Sequence, residues 1–166
     1  FQLSNTTMKK YSIEIKWGII FALVSLLWMY LEKQFGLHSE HLDKHATYTN
    51  LFSIVAIAIY VLALLDKRKN ALGGTMTWKQ GFMAGVIITI VVTILTPLTQ
   101  LISHYVISPE YFPNVIEMAV DTGVQSREEA EAYFNLKNYM LLSTVFAFVV
   151  GILTSAIVAV FMRKSY

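Results

Sequence analysis

Four long apolar stretches separate the charged parts of this chain, and they constrain its fold more than any other feature. A helix needs about 20 mostly apolar residues to cross about 30 Å of hydrocarbon. The stretches fall near residues 13–32, 48–65, 79–107 and 138–162. Charged residues make up only 14% of the chain, against about 25% in a typical soluble domain. The sequence therefore predicts an all-α integral membrane protein, a bundle of four transmembrane helices.

The same pattern sets the predicted domain organisation and partners. Residues 1–12 form a short tail, and residues 13–164 form one transmembrane domain whose principal partner is the lipid bilayer. The absence of cysteine excludes disulfides and thiolate metal sites. A net charge of +2 gives no reason to expect a nucleic-acid partner. No cofactor motif is present, and the glycines at Gly73 and Gly74 are not followed by a phosphate-binding signature.

The distribution of basic residues predicts the orientation of the bundle. Lysine and arginine accumulate in the cytoplasmic loops of membrane proteins. Nine of the 13 lie on the side of the two termini, and four lie on the other. The nine are Lys9, Lys10, Lys16, Lys67, Arg68, Lys69, Lys79, Arg163 and Lys164. We therefore expect both termini in the cytoplasm.

The second external loop, residues 108–137, is too long for a tight turn and carries helix signals. Asn114 is a candidate cap after Pro113, and Gly123 is a candidate helix end. The Ser126 to Glu129 spacing is that of a capping box, opening a helix that could continue into the fourth span. We expect short external helices that form a cap, with a lid or docking role as the alternative.

Small residues repeat on the predicted spans at helical spacing. Within a bilayer, such residues let helix backbones approach closely. In the third and fourth spans the candidate packing residues are Gly81, Gly85, Ser143, Ala147, Gly151 and Ser155. We interpret them as inward faces of the bundle.

The third span also carries a polar stripe, formed by Thr89, Thr93, Thr96, Gln100 and His104. Its spacings of three and four put these side chains on one helix face. Packing and interhelical hydrogen bonding explain the stripe more simply than a transport path, which remains the alternative. Pro97 lies in the same span and is expected to kink it.

Three of the four histidines lie in the first external loop. On a helix, His38, His41 and His45 would share one face and could present imidazoles to a metal ion. A hydrated loop without metal is the simpler interpretation, and whether metal binds stays open at this stage.

Several segments resemble a known family. They are the short basic start, Trp78-Lys79-Gln80-Gly81-Phe82 with Gly85, Ile107-Ser108-Pro109-Glu110-Tyr111, Glu128-Glu129-Ala130-Glu131 and the small-residue fourth span. From Met8 onward the chain is similar to uncharacterised four-helix bacterial inner-membrane proteins, classified only as a domain of unknown function. The resemblance implies a fold and a bacterial inner-membrane location, and it implies no catalytic residues.

Three functions are compatible with the sequence. No acidic or basic residue lies centrally in any span, which disfavours ion-coupled transport by a single copy. We favour a non-enzymatic scaffold or accessory subunit, alone, as a homo-oligomer or with a membrane-protein partner. A small oligomeric transporter or pore using the polar stripe is the alternative. A membrane-surface enzyme, with no catalytic residue assigned, is the third.

Overall fold

The computed structural model describes residues 10–164, and this part of the chain is helical. Four long helices are accompanied by two short ones: α1 (Ser12–Gln34), α2 (Leu42–Asn70), α3 (Trp78–Ile102), α4 (Tyr111–Asp121), α5 (Arg127–Tyr133) and α6 (Leu136–Met162). A π-helical turn, Ser103–Ile107, extends α3. Four of these segments, α1, α2, α3 with its π turn, and α6, are long and apolar enough to cross a membrane. The predicted all-α fold with four candidate spans is thus confirmed. The predicted tail, residues 1–12, falls mostly outside the described residues.

Side-chain caps define where several helices begin. The Thr77 hydroxyl accepts the amide of Gln80 while the Gln80 side chain accepts the amide of Thr77, a capping box that starts α3. The predicted capping box of Ser126 and Glu129 starts α5. The Asn135 side chain accepts the amide of Asn138 at the start of α6. These caps satisfy amides that a helix leaves without partners in its first turn.

The four long helices are arranged in a ring in the order α1, α2, α6, α3. The most extensive contact is between α3 and α6, followed by α1 with α3 and α1 with α2. A core cluster fills one half of the bundle. It contains Tyr60, Ala63, Leu64, Met76, Ala84, Ile88, Val92, Val158 and Ala159.

The two ends of the bundle have different structures. At one end, Met76 and Lys164 exchange backbone hydrogen bonds of 2.9 and 2.8 Å, and the Lys67 ammonium reaches the carbonyl of Lys10 at 3.3 Å. We call this the termini end. At the other end, α4 and α5 pack over the bundle, with Phe112 and Val115 of α4 against Leu42 of α2. We call this the cap end.

The observed bounds differ from the sequence prediction in places. Helix α2 starts six residues before predicted residue 48 and ends five after predicted residue 65, because a helix can continue past the apolar stretch once its ends leave the hydrocarbon. Asn114 does not cap α4, which already begins at Tyr111; its amide instead donates to the carbonyl of His38 at 2.8 Å. Helix α5 does not continue into α6, because Phe134 and Asn135 leave helical geometry. Helix α3 runs through Pro97 to Ile102.

Candidate functional site

A cavity of about 430 Å³ opens at the cap end of the bundle. A second cavity of about 300 Å³ continues from it toward the middle of the bundle. The residues that line both are Met29, Thr49, Gln100, Ser143 and Phe146. The two volumes are therefore neighbouring parts of one space between the four long helices.

The deep end of this space is closed by tight contacts between helices. The Tyr60 hydroxyl lies 2.7 Å from the Thr89 hydroxyl, and both residues are buried. Gly151 lies so close to Thr89 that a Cβ built on the glycine would be 2.5 Å from the threonine methyl carbon. Below this level the core cluster fills the termini end. The space is therefore closed at its deep end and does not pass through the bundle.

One side of the cavity is open because the first half of α2 packs loosely. Residues 46–51 are all exposed, whereas Ile59, Tyr60, Ala63 and Leu64 further along α2 are buried. Asn50 and Ser53 are exposed and line the deeper cavity. Across the opening, Phe146 of α6 is 68% exposed. The cavity consequently opens between α2 and α6, at the depth of their apolar segments.

A carboxylate and two imidazoles meet in the wall of the cavity. Glu32 near the end of α1 is 5% exposed, and its Oε2 lies 3.6 Å from Nε2 of His38 and 3.7 Å from Nε2 of His45. The other oxygen, Oε1, accepts hydrogen bonds from the Trp28 indole at 2.8 Å and the Thr49 hydroxyl at 2.5 Å. Hence α1, α2 and the connection between them all contribute to this cluster.

Aromatic rings surround the histidines. The ring of Tyr111 lies 5.1 Å from that of His38 and 5.2 Å from that of His45. The hydroxyls of Tyr111 and Tyr139 lie 3.2 Å apart. Burial raises the pKa of Tyr111, and neighbouring Tyr139 and Glu32 raise it further. The Tyr111 phenol therefore stays protonated and available as a hydrogen-bond donor.

The predicted polar stripe of α3 divides into two parts. Thr89 and Thr96 are buried, and their hydroxyls donate to the carbonyls of Gly85 and Val92 on their own helix. The Thr93 hydroxyl is buried without a hydrogen-bond partner in the described chain. Gln100 and His104 both line the outer cavity. Thr96 also lines the deeper cavity, and Gln100 lines both. The part of the stripe from Thr96 to His104 thus faces the cavity, whereas Thr89 lies within the packed bundle.

The three histidines of the first loop are not on one helix face. His38 lies in a turn before α2 begins, and only His45 lies within the helix. His41 is exposed, and it is not among the residues that converge on Glu32. Glu32 was not among the ligands predicted from the sequence. The local signal that could have indicated it is its position six residues before His38, near the end of the helix that leads into the histidine-rich turn.

The small residues of α3 and α6 face each other. A Cβ built on Gly85 would lie 2.6 Å from Cβ of Ser155, and one built on Gly81 would lie 3.2 Å from Cβ of Ala159. The Ser155 hydroxyl donates to the Gly151 carbonyl at 2.6 Å. Ser143 and Ala147 lie nearer the cap end, and both line the deeper cavity.

Charged pairs at the termini end were not anticipated from the sequence. Glu14 is 1% exposed, and its carboxylate lies 2.8 Å from the Lys67 ammonium. Asp66 pairs with Lys16 and accepts the Trp17 indole at 2.7 Å. These contacts tie α1 to α2 at the opposite end from the cavity.

Comparison with protein-family models identifies the chain's relatives. The model of DUF4199, described as a protein of unknown function, matches residues 16–164. The chain belongs to the DUF4199 family. The resemblance to a domain of unknown function is thereby confirmed, and the match includes α2, α3, α6 and all of α1 after its first four residues. Neither a curated protein nor a solved structure is detectably similar to the chain.

Proposed function

We propose that this DUF4199 protein is a non-enzymatic membrane protein, a scaffold or accessory subunit, that holds a lipid-like molecule in its cap-end cavity. The observation that carries the proposal is the blind cavity that opens between α2 and α6. Ligand sites are typically apolar cavities of about 300–1,000 Å³ with a few polar groups. The two cavity volumes of about 430 and 300 Å³ fall in this range.

The wall chemistry supports a ligand with a polar head and an apolar tail. The outer cavity combines polar groups, among them Glu32, His45 and His104, with rings such as Phe112 and Tyr139. The deeper cavity has apolar walls interrupted by isolated hydroxyl and amide groups. A head group would therefore lie near the histidines, and its tail would extend toward Tyr60. The lateral opening gives such a molecule a route from the bilayer.

The closed deep end favours holding a molecule over conducting one. A path through a single copy would have to break the 2.7 Å hydrogen bond between Tyr60 and Thr89. It would also have to move Gly151 away from Thr89, which are so close that there is no room for a Cβ on the glycine. The transporter alternative requires either that rearrangement or a path between copies. The stripe residues Gln100 and His104 would then contact the solute.

The enzyme alternative has less support. It requires a base beside a carboxylate and within reach of a nucleophile. His41 is exposed, and within residues 10–164 no hydrogen bond or ion pair joins His41 or His104 to a carboxylate. The paired groups, Glu32 and the two histidines, have a geometry that is better explained by binding.

The predicted orientation extends the proposal. With the termini end in the cytoplasm, as the basic residues predict, the cavity opens toward the outer leaflet of a bacterial inner membrane. The family resemblance is the basis for the bacterial location. The ligand would then be taken from the outer leaflet.

Native mass spectrometry in mild detergent tests ligand binding. We expect the wild-type protein to keep one lipid-sized adduct. The Ser143→Leu variant should lose it, since this change fills the space where the two cavities meet. Ser143 is suitable because its hydroxyl donates only to carbonyls of its own helix, those of Tyr139 and Met140.

Thr144→Leu is the matched control. Thr144 is adjacent, also donates to the Met140 carbonyl, and is not among the lining residues of either cavity. The control should keep the adduct. A wild-type protein without adducts, or equal adducts in both variants, would contradict ligand binding. The same spectra report any homo-oligomer or partner subunit.

A further inference from the structure

We propose that Glu32, His38 and His45 bind a divalent transition-metal ion, of which Zn²⁺ is the best match. Their three ligand atoms, one carboxylate oxygen and two imidazole nitrogens, lie within 4.8 Å of one another. One carboxylate and two imidazoles are a ligand set that zinc accepts, with a water or ligand in the fourth position.

The distances fit a shared ion better than direct hydrogen bonds. Oε2 of Glu32 lies 3.6 Å from Nε2 of His38 and 3.7 Å from Nε2 of His45. Both separations exceed the range of about 2.7–3.2 Å for a good N–H···O hydrogen bond. Two ligands that are each about 2.1 Å from one ion, at angles of about 110–120°, would be about 3.4–3.6 Å apart. The two carboxylate–imidazole separations would therefore have to shorten by at most about 0.3 Å for each pair to share one ion.

The carboxylate is held with one oxygen free for the ion. Trp28 and Thr49 both donate to Oε1, at 2.8 and 2.5 Å, so that Oε2 faces the two histidines. Hydrogen bonds of this kind orient the ligands of metal sites and raise their affinity. Their presence here means that Glu32 does not need to reorient to bind.

Burial of the cluster leaves a charge that needs a counterion. Glu32 and His38 are 5% and 4% exposed. Within residues 10–164 no lysine or arginine forms an ion pair with Glu32; the adjacent Lys33 pairs with Glu110 instead. A buried carboxylate is unfavourable unless a positive charge or metal compensates it.

His38 provides an independent indication. It is almost completely buried, yet its Nδ1 has no hydrogen-bond partner in the described chain. Buried polar atoms usually have such partners. Coordination through Nε2 would give this buried ring a strong polar partner, although Nδ1 would still have none in the described chain.

The cavity supplies the remaining coordination position. All three ligands line it, and the His45 side chain is 21% exposed. An ion can therefore enter, and its open position would face the space where a polar head group would lie. Because the ion needs only Glu32 and the histidines, metal binding and lipid binding can fail separately.

Titration of chelator-treated protein in detergent tests the site. We expect one Zn²⁺ per chain by calorimetry, and a four-coordinate nitrogen and oxygen spectrum with Co²⁺. His45→Asn should weaken binding by at least about 10- to 100-fold, the range seen when even an outer partner of a metal site is removed. Glu32→Gln should weaken it similarly.

His41→Asn is the matched control, since His41 is an exposed histidine of the same turn region. It should bind as the wild type does. His45 is the preferred test position because its partial exposure makes loss of folding less of a concern, and gel filtration of each variant checks this. No binding by the wild type, unchanged binding in His45→Asn, or equal loss in His41→Asn would overturn the proposal.

Discussion

Gly85 of α3 and Ser155 of α6 are in such close contact that a Cβ on the glycine would lie 2.6 Å from the serine Cβ and 3.1 Å from its Cα. The second distance involves backbone, which cannot move as a side-chain end can. This contact lies in the largest interface of the bundle, between α3 and α6. Close approach through small residues is a main source of helix association in lipid.

Gly85→Leu should therefore destabilise the bundle by about 3 kcal/mol, near the upper part of the range for overpacking. Unfolding in mixed micelles of mild and denaturing detergent measures this. Ala58→Leu, at an exposed position of α2, should change stability by less than about 0.5 kcal/mol. Ser155→Gly should restore part of the stability that Gly85→Ala removes, because it makes room for the added methyl group. A double variant that is no more stable than Gly85→Ala would show that the contact with Ser155 is not the cause.

The buried ion pair of Glu14 and Lys67 gives a second prediction. The Glu14 side chain is 2% exposed and that of Lys67 is 14% exposed. Lys67→Met should cost about 3–5 kcal/mol, because it leaves a buried carboxylate without its partner. Lys69→Met, at an exposed position of the same turn, is the control. Adding Glu14→Gln to Lys67→Met should restore much of the lost stability, because it removes the unpaired charge. If the double variant is even less stable than Lys67→Met, the ion pair does not explain the effect.

A third prediction concerns the hydrogen bond that closes the deep end of the cavity. Tyr60→Phe removes the 2.7 Å contact with the Thr89 hydroxyl, whose bond to the Gly85 carbonyl remains. Hydrogen bonds between membrane helices contribute about 0.6 kcal/mol on average. We expect Tyr60→Phe to lower the stability of the bundle by about that amount. Tyr30→Phe is the control and should leave stability unchanged, because Tyr30 is 48% exposed. Equal stability of the two variants would mean that the contact contributes nothing.

The fourth prediction is a dependence of stability on acid. Burial opposes ionisation of Glu110, but its own backbone amide, the charge of Lys33 and the Ser108 hydroxyl together hold its pKa below the ordinary value of 4.5. A carboxyl whose pKa falls on folding stabilises the fold above that ordinary value, and the contribution disappears as the pH falls through the lowered one. The effect is small, because the Glu110 side chain is 42% exposed.

Thermal unfolding between pH 3 and pH 7 measures this contribution. Glu110→Gln should be less stable than wild type near neutrality and should approach it in acid. Glu117→Gln, at an exposed position of α4, should follow the wild-type profile. If the stability difference between wild type and Glu110→Gln is the same at every pH, ionisation of Glu110 does not contribute to the pH dependence.

The sequence predicted the architecture because local signals are strong there. Long apolar stretches fix the candidate spans, and the Ser126 capping box and the left-handed Gly123, with φ of 70°, lie where the residue types indicated. Thr77 and Gln80 carry the same capping signal at the start of α3. The prediction that Asn114 caps a helix is wrong because α4 begins before Pro113, and the Asn114 side chain donates instead to the His38 carbonyl.

The candidate site could be predicted only in part, because it depends on contacts between distant segments. His38 and His45 were recognised as possible ligands, but the assumed helical spacing included exposed His41 and omitted buried Glu32. Nothing in the local pattern shows that the Trp28 indole and the Thr49 hydroxyl hold that carboxylate. The blind cavity likewise results from how α2 diverges from α6, which sequence periodicity does not specify.

Single-cysteine labelling tests the central claim, that the cap end and the termini end lie on opposite faces of a bilayer. The chain has no cysteine, so each variant carries one thiol. Ser39→Cys places it at the exposed cap-end turn, and Ala71→Cys places it at the exposed turn after α2. With a membrane-impermeant maleimide on intact spheroplasts, we expect Ser39→Cys to react and Ala71→Cys to react only after lysis. Equal labelling of both before lysis would contradict the four-span bundle.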